Sequence, residues 1–303
     1  MGTNTLETRR GTTRRRFLAQ AAGAAAAGLA APALGAEPTA KEDARWAMRL
    51  STSSIHFLHL PVEQACERIA TLGFEAVDIW SAHAGCPHLD DVLKRLGPEG
   101  LKGLLARTKL DLFAFSVYRG GYPRYAELLG KAGGGVAVRG STRAAKPAEL
   151  AARTRQFLDA LKPQVELAEK HDSYLAIENH GGALLNTLDS LKAFVDANAS
   201  PRVGIALAPY HLQGIKASVE KAIAICGDQL FFFYAWQRGR GTRQLPGHGP
   251  TDFTPWLAAL AEVRYRGCVN PFMHGDLEPG PMAQALARSR DYLRECYAAA
   301  TGG

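Results

Sequence analysis

Along this chain, short uninterrupted apolar runs alternate with longer segments in which apolar residues return every three or four positions. A short run bounded by turn residues has the length of a buried strand, whereas the three-to-four spacing marks the inward stripe of a surface helix. Strands are therefore predicted at "MRLSTS" (48–53), "AVDIWS" (76–81), "LDLFAFSV" (110–117), "GVAVRG" (135–140), "YLAIEN" (174–179), "VGIALA" (203–208), "LFFFYAW" (230–236) and "CVNPFM" (268–273). Helices are predicted between them, among them "PVEQACERIATLG" (61–73), "PEGLKGLLARTK" (98–109), one long segment "AELAARTRQFLDALKPQVELAEKH" (148–171) and "MAQALARSRDYLRECYAA" (282–299). Strand and helix in strict alternation imply βα units and a parallel sheet. Eight such pairs in about 250 residues have the arithmetic of an α/β fold closed as a (β/α)8 TIM barrel in a single domain, here residues 46–300. A doubly wound open sheet is the rival architecture, but no GxGxxG follows the first strand. The glycines of "AGGGVAVRG" make a turn into a strand, since no Lys-Ser or Lys-Thr pair completes a phosphate loop.

In such a barrel the chemistry sits where the strands end, so the polar residues that close each apolar run are the candidates. His56 and His59 follow strand one, and His83 and His88 follow strand two. Glu178, Asn179 and His180 close strand five, and His211 lies just past strand six. Strand seven runs into Trp236, Gln237 and Arg238, with His248 further along in "QLPGHGPTDF", and strand eight contributes Asn270 and His274. Any one of these histidines also reads as a loop cap or a satisfied buried imidazole. Glu178 is different: within "LAIENH" it is expected to be mostly buried, where an ionised carboxylate is costly unless it is paired or bound to a metal.

Composition changes this picture little. With 47% hydrophobic and 21% charged residues the chain reads as a folded globular protein. Its net charge of +7 suggests an anionic partner until the first 36 residues are set aside. They carry Arg9, Arg10, Arg14, Arg15 and Arg16 against Glu7, and residues 37–303 have 31 basic and 28 acidic side chains, so no nucleic-acid partner is expected. "TRRRFLAQAAGAAAAGLAAPALGA" resembles a twin-arginine signal peptide over residues 1–36, with cleavage near Ala36, a linker over 37–45, and export to the periplasm by the Tat machinery as the expectation. An uncleaved membrane anchor is the alternative. The five cysteines form no CxxC pair and are expected as buried free thiols, Cys86 being the single one in a loop.

"GFEAVDIWS", the long helix leading to "LAIENH", "VGIALAPYH", "LPGHGPTDFTPWLAAL" and "GCVNPFM" resemble, in order, the xylose-isomerase-like superfamily of sugar-phosphate isomerases and epimerases. The resemblance implies a divalent metal held by a Glu after strand five, an Asp after strand six, a His after strand seven and a Glu after strand eight, the two glutamates also moving the substrate proton. This chain keeps Glu178 but has Ala208 three residues before His211, "YAW" where strand seven should close with a histidine, and Asn270 before Pro271 and Phe272. It reads as a divergent member. A relocated metal site holding Zn, Mn, Co or Mg on Glu178, His211, His248 and His274 is one expectation, and no metal is the other.

The expected function is a carbohydrate-active isomerase, epimerase or lyase that takes a proton from the carbon beside a sugar carbonyl, with Glu178 or His211 as catalytic base. His180, Trp236, Arg238, Asn270 and His274 are the expected substrate-binding residues, Trp236 by stacking on a ring and Arg238 by binding a hydroxyl or carboxylate. The competing expectation is a non-catalytic carbohydrate-binding barrel that has lost the metal site. The expected partner is a small-molecule carbohydrate, with a homo-oligomer left open.

Overall fold

The computed structural model describes residues 46–81 and 85–302, so the leader and His83 lie outside the described residues. All eight predicted strands form: β1 (Arg49–Ser53), β2 (Ala76–Trp80), β3 (Asp111–Ser116), β4 (Val136–Gly140), β5 (Tyr174–Glu178), β6 (Val203–Leu207), β7 (Leu230–Ala235) and β8 (Cys268–Pro271). Each pairs in parallel with the next, and β8 closes on β1 through Arg49 opposite Cys268 and Leu50 opposite Val269, giving a closed (β/α)8 barrel. Every residue of β2, β5, β6 and β8 is buried. That is why these strands read as continuous apolar runs and not as alternations: the barrel fills one face and the helices cover the other.

The surrounding helices include α1 (Val62–Thr71), α2 (His88–Asp91), α3 (Gly97–Thr108), α4 (Tyr122–Lys131), α5 (Leu150–Ala160), α6 (Lys162–Lys170), α7 (Leu188–Ala197), α8 (Pro209–Gly214), α9 (Val219–Cys226), α10 (Thr254–Glu262) and α11 (Pro279–Thr301). Each long one buries a single stripe, as α1 does with Val62, Ala65, Cys66 and Ile69. The segment 148–171, expected as one helix, is two, α5 and α6, meeting at Leu161. Pro163 has no N–H to return to the carbonyl one turn earlier, so the ladder breaks just before it.

Two features bring the strand ends to their places. Gly204 lets β6 and β7 approach, since a Cβ there would lie 2.5 Å from the Gln229 carbonyl oxygen and 2.6 Å from the Phe231 ring. Asn179, directly after β5, ties that strand to the end of β6: its Oδ1 accepts from the Ala208 N–H at 2.6 Å and its Nδ2 donates to the Ala208 carbonyl at 3.2 Å. The five cysteines are free and buried, as the sequence suggests.

Candidate active site

Glu178 is the last residue of β5, in register with Gly140 on β4 and Ala206 on β6. Small residues on both sides leave space around the carboxylate; an added Cβ at Gly140 would meet nothing within 4 Å. The side chain is nonetheless buried, and burial pushes its pKa up to about 7, against the pull of a hydrogen bond from Tyr118 and the charge of His180. Tyr118 Oη donates to Glu178 Oε2 at 2.8 Å and lies 3.1 Å from Tyr234 Oη. Burial beside the carboxylate drives both phenols well above their ordinary pKa, so they stay protonated.

A second buried acid lies in the barrel wall. Asp78, in the middle of β2, accepts from Ser53 Oγ at 2.7 Å, Trp80 Nε1 at 2.6 Å and Ser116 Oγ at 3.0 Å. Burial raises its pKa to about 7 although all three donors pull it down. The charges of Glu178 and Asp78 both add to burial in raising the pKa of Tyr234, so the two acids act on one phenol. Neither Asp78 nor Tyr118 stands among the predicted site residues. The signal that singled out Glu178, an acid inside an apolar strand run, is equally present in "AVDIWS"; Tyr118 is the polar residue just past β3, a strand end that yielded no histidine.

Above the carboxylate, aromatic and imidazole rings line the mouth. His180 and His211 have centroids 4.0 Å apart, and His211 sits edge-on to Trp236 at 5.3 Å. His274 faces Trp236 at 5.2 Å and Trp80 at 6.3 Å, while Phe272 packs against Trp80, Tyr234 and Trp236. Burial, followed by the neighbouring His180, His274 and Arg238, lowers the His211 pKa to about 3. A neutral imidazole so reluctant to take a proton is a poor base.

Of the residues expected in the site, Glu178, His180, His211, Trp236, Arg238 and His274 come together at this mouth. Trp236 is only 3% exposed and stacks on Tyr210 at 4.3 Å, with Nε1 bonded to Gln244, so it forms the floor and not an open stacking platform. Asn270 is buried between strands, its Oδ1 accepting from Ser51 at 2.9 Å and its Nδ2 donating to Ser53 at 3.1 Å, so its amide knits β8 to β1. His248 leaves the site altogether: its Nε2 bonds the Ala285 carbonyl on α11 at 3.0 Å. His56, His59 and His88 are likewise structural. His56 is held between Thr52 Oγ1 and the Met273 N–H, His59 pairs with Asp276, and His88 bonds the Leu60 carbonyl. Cys86 is fully buried with its pKa pushed up to about 12, which removes it as a nucleophile.

The expected relocated metal set does not assemble. Among the described residues no three His, Cys, Asp or Glu side chains group as a metal would require. The reason is visible at each position: His248 is turned to α11, Ala208 offers no side-chain donor, Asn270 is consumed inside the barrel, and Glu178 is held by Tyr118. These residues do not fit a divalent ion.

The chain matches the family described as xylose isomerase-like TIM barrel over residues 66–296. No curated protein sequence matches it. Solved structures with the same fold include 3-keto-D-glucoside 4-epimerase from E. coli, 17% identical, with 81% of this chain and all of that one covered at a TM-score of 0.62. D-psicose 3-epimerase from Clostridium cellulolyticum H10 is 16% identical, with 82% of this chain and 99% of that one covered at a TM-score of 0.64. A xylose isomerase-like TIM barrel/4-hydroxyphenylpyruvate dioxygenase fusion protein is 20% identical at a TM-score of 0.64; the match covers 82% of this chain and 42% of the fusion. A closed eight-unit barrel, a single glutamate at the end of its fifth strand and a family match over most of the chain lead to one assignment: this protein belongs to the xylose isomerase-like TIM barrel family.

Proposed function

We propose that this barrel is a carbohydrate-active enzyme of the isomerase/epimerase or related lyase type, and that Glu178 removes a proton from the carbon beside a sugar carbonyl. The observation that carries the reading is the environment of Glu178: a desolvated carboxylate with its pKa up to about 7, oriented by Tyr118 beneath a ring-lined mouth. A carboxylate of ordinary pKa is too weak a base for such a carbon at neutral pH, and raising the pKa toward the working pH strengthens it. The C–H bond breaks, its proton passes to Glu178, and the electron pair moves into the carbonyl to form an enolate. From there the proton of the neighbouring hydroxyl moves to the enolate oxygen while the same carboxyl returns its own proton to the former carbonyl carbon, which completes isomerisation, or the enolate expels a group from the next carbon. Inversion at a single carbon needs a second acid on the opposite face, and Asn270 cannot supply it. The single base therefore favours isomerisation or elimination over epimerisation.

The test is solvent deuterium exchange into bound keto-sugars, followed by NMR. Wild-type protein is expected to exchange the proton beside the carbonyl, and Glu178→Gln to slow that exchange by about a hundredfold or more. A second reading, a non-catalytic carbohydrate-binding barrel, is favoured by the replacement of the family's other ligand positions by Ala208, by the run Tyr234, Ala235 and Trp236, and by Asn270, whose amide is used in hydrogen bonds inside the barrel. Saturable sugar binding without exchange, unchanged in Glu178→Gln, would establish that reading instead.

Export belongs to the same proposal and is supported by the paired arginines before Phe17 and Leu18 and the Ala-rich stretch behind them. Replacing Arg14 and Arg15 by Lys is expected to retain the precursor in the cytoplasm, measured by fractionation; unchanged export would remove this part of the reading.

A further inference from the structure

The charges that act on His211 are all basic: His180, His274 and Arg238. His180, Arg238 and His274 are exposed around the mouth, whereas His211 lies half-buried behind them. The Arg238 guanidinium is positioned over the Tyr210 ring at 5.7 Å, its backbone N–H fixed by Gln213 Oε1 at 2.6 Å. Tyr210 stacks in turn on Trp236, so the arginine rests on a rigid aromatic support. His211 Nε2 is buried with no hydrogen-bond partner, and the His180 ring lies 4.0 Å from the His211 ring, centroid to centroid. A buried polar nitrogen left unpaired is costly and calls for an explanation in a folded protein. The Arg238 guanidinium and the imidazoles of His180 and His274 thus present cationic and N–H donor groups around the neutral His211, a setting that favours an anion among them.

We propose that His180, His211, Arg238 and His274 form a subsite for an anionic oxygen group, so that the ligand of this barrel is an acidic sugar derivative, not a neutral sugar. The guanidinium fork and the imidazole N–H groups match a carboxylate or a phosphate equally. A ligand oxygen that reaches His211 Nε2 gives it its missing partner. His180 lies two residues beyond Glu178, so a ligand anchored there holds its carbon chain over the carboxylate. The inference rests on the reading of this mouth as a carbohydrate site, but it concerns binding and is tested without turnover.

The experiment is calorimetric titration of the full-length Glu178→Gln protein, so that no reaction proceeds, with matched pairs: D-glucuronate against D-glucose, D-gluconate against D-glucitol, a hexose phosphate against the hexose, and inorganic phosphate alone. At least one anion is expected to bind about tenfold or more tighter than its neutral partner, as one charge-assisted hydrogen bond provides. The carboxylate and phosphate arms identify which group the subsite takes. Arg238→Ala and His180→Asn, both at exposed positions, are each expected to reduce that preference. Equal binding of the neutral partners, no binding of any anion, or a preference that survives both substitutions overturns the proposal. The two readings fail separately. Anion-selective binding with no deuterium exchange in wild type sinks the enzyme and leaves the subsite, whereas exchange into neutral keto-sugars without anion preference does the reverse.

Discussion

Asp78 and Glu178 are buried carboxyls whose pKa values stand at about 7, and in both cases burial is the leading cause. A carboxyl with a raised folded-state pKa contributes stability that is complete below its unfolded pKa near 4 and is lost as pH rises through about 7. His56 and His211 act in the opposite direction. Their pKa values are lowered to about 3, so they contribute stability above about 6.5 that disappears as pH falls through 3. Because the two slopes overlap, the effect of Asp78 is read from a difference. The stability of wild type relative to Asp78→Asn, from chemical denaturation, is expected to fall by a few kcal/mol between about pH 4 and pH 7 and then to level off. A pH-independent difference would mean that Asp78 titrates normally in the folded protein.

At the scale of elements, the barrel's closure depends on where one strand needs the absence of a side chain. Gly204 on β6 is such a place, with backbone and ring atoms at 2.5–2.6 Å from any added Cβ. Gly204→Ala is expected to destabilise by about 1–3 kcal/mol in a urea titration, because backbone must shift to make room. Gly140 on β4 is the internal control: it is also a strand glycine, but its Cβ would meet nothing within 4 Å, and Gly140→Ala is expected to change stability by less than about 1 kcal/mol. Equal losses at the two positions would show that the close approach at Gly204 is not what sets its cost. Gly140 lies in register with Glu178, so the same substitution narrows the space beside the carboxylate and is expected to weaken ligand binding while leaving the fold intact.

At the scale of the molecule, all five thiols are buried and none is paired, and burial raises the pKa of Cys66, Cys86 and Cys268 to about 12. A thiol of that pKa holds almost no thiolate at neutral pH, and none of the five is open to solvent. Native protein is therefore expected to react with an aromatic disulfide reagent only at its unfolding rate, and denatured protein to give five equivalents at once. A rapidly reacting equivalent in native protein would place one cysteine at the surface. The donor set makes a matching prediction for metal: because no three ligand side chains group among the described residues, prolonged chelation is expected to leave the melting temperature within about 1 °C. A larger fall, restored by one divalent metal, would show that the side chains rearrange to hold it.

The sequence by itself determined the barrel. Eight buried parallel strands must read as eight apolar runs because both faces of each are covered, and helices must carry a stripe because one face is not; both patterns are local and survive in one dimension. It also singled out Glu178, since an acid inside an apolar run is anomalous wherever the run folds. Tertiary structure decided what surrounds it. His180, His211 and His248 look alike in the sequence, each following a strand, yet two meet at 4.0 Å and the third turns to a helix carbonyl on α11. Tyr118, from just past β3, bonds Glu178 and reaches Tyr234 of β7, across separations that no spacing rule encodes. Only barrel closure sets those neighbours, and with them the burial and opposing charges that move the pKa values on which the chemistry depends.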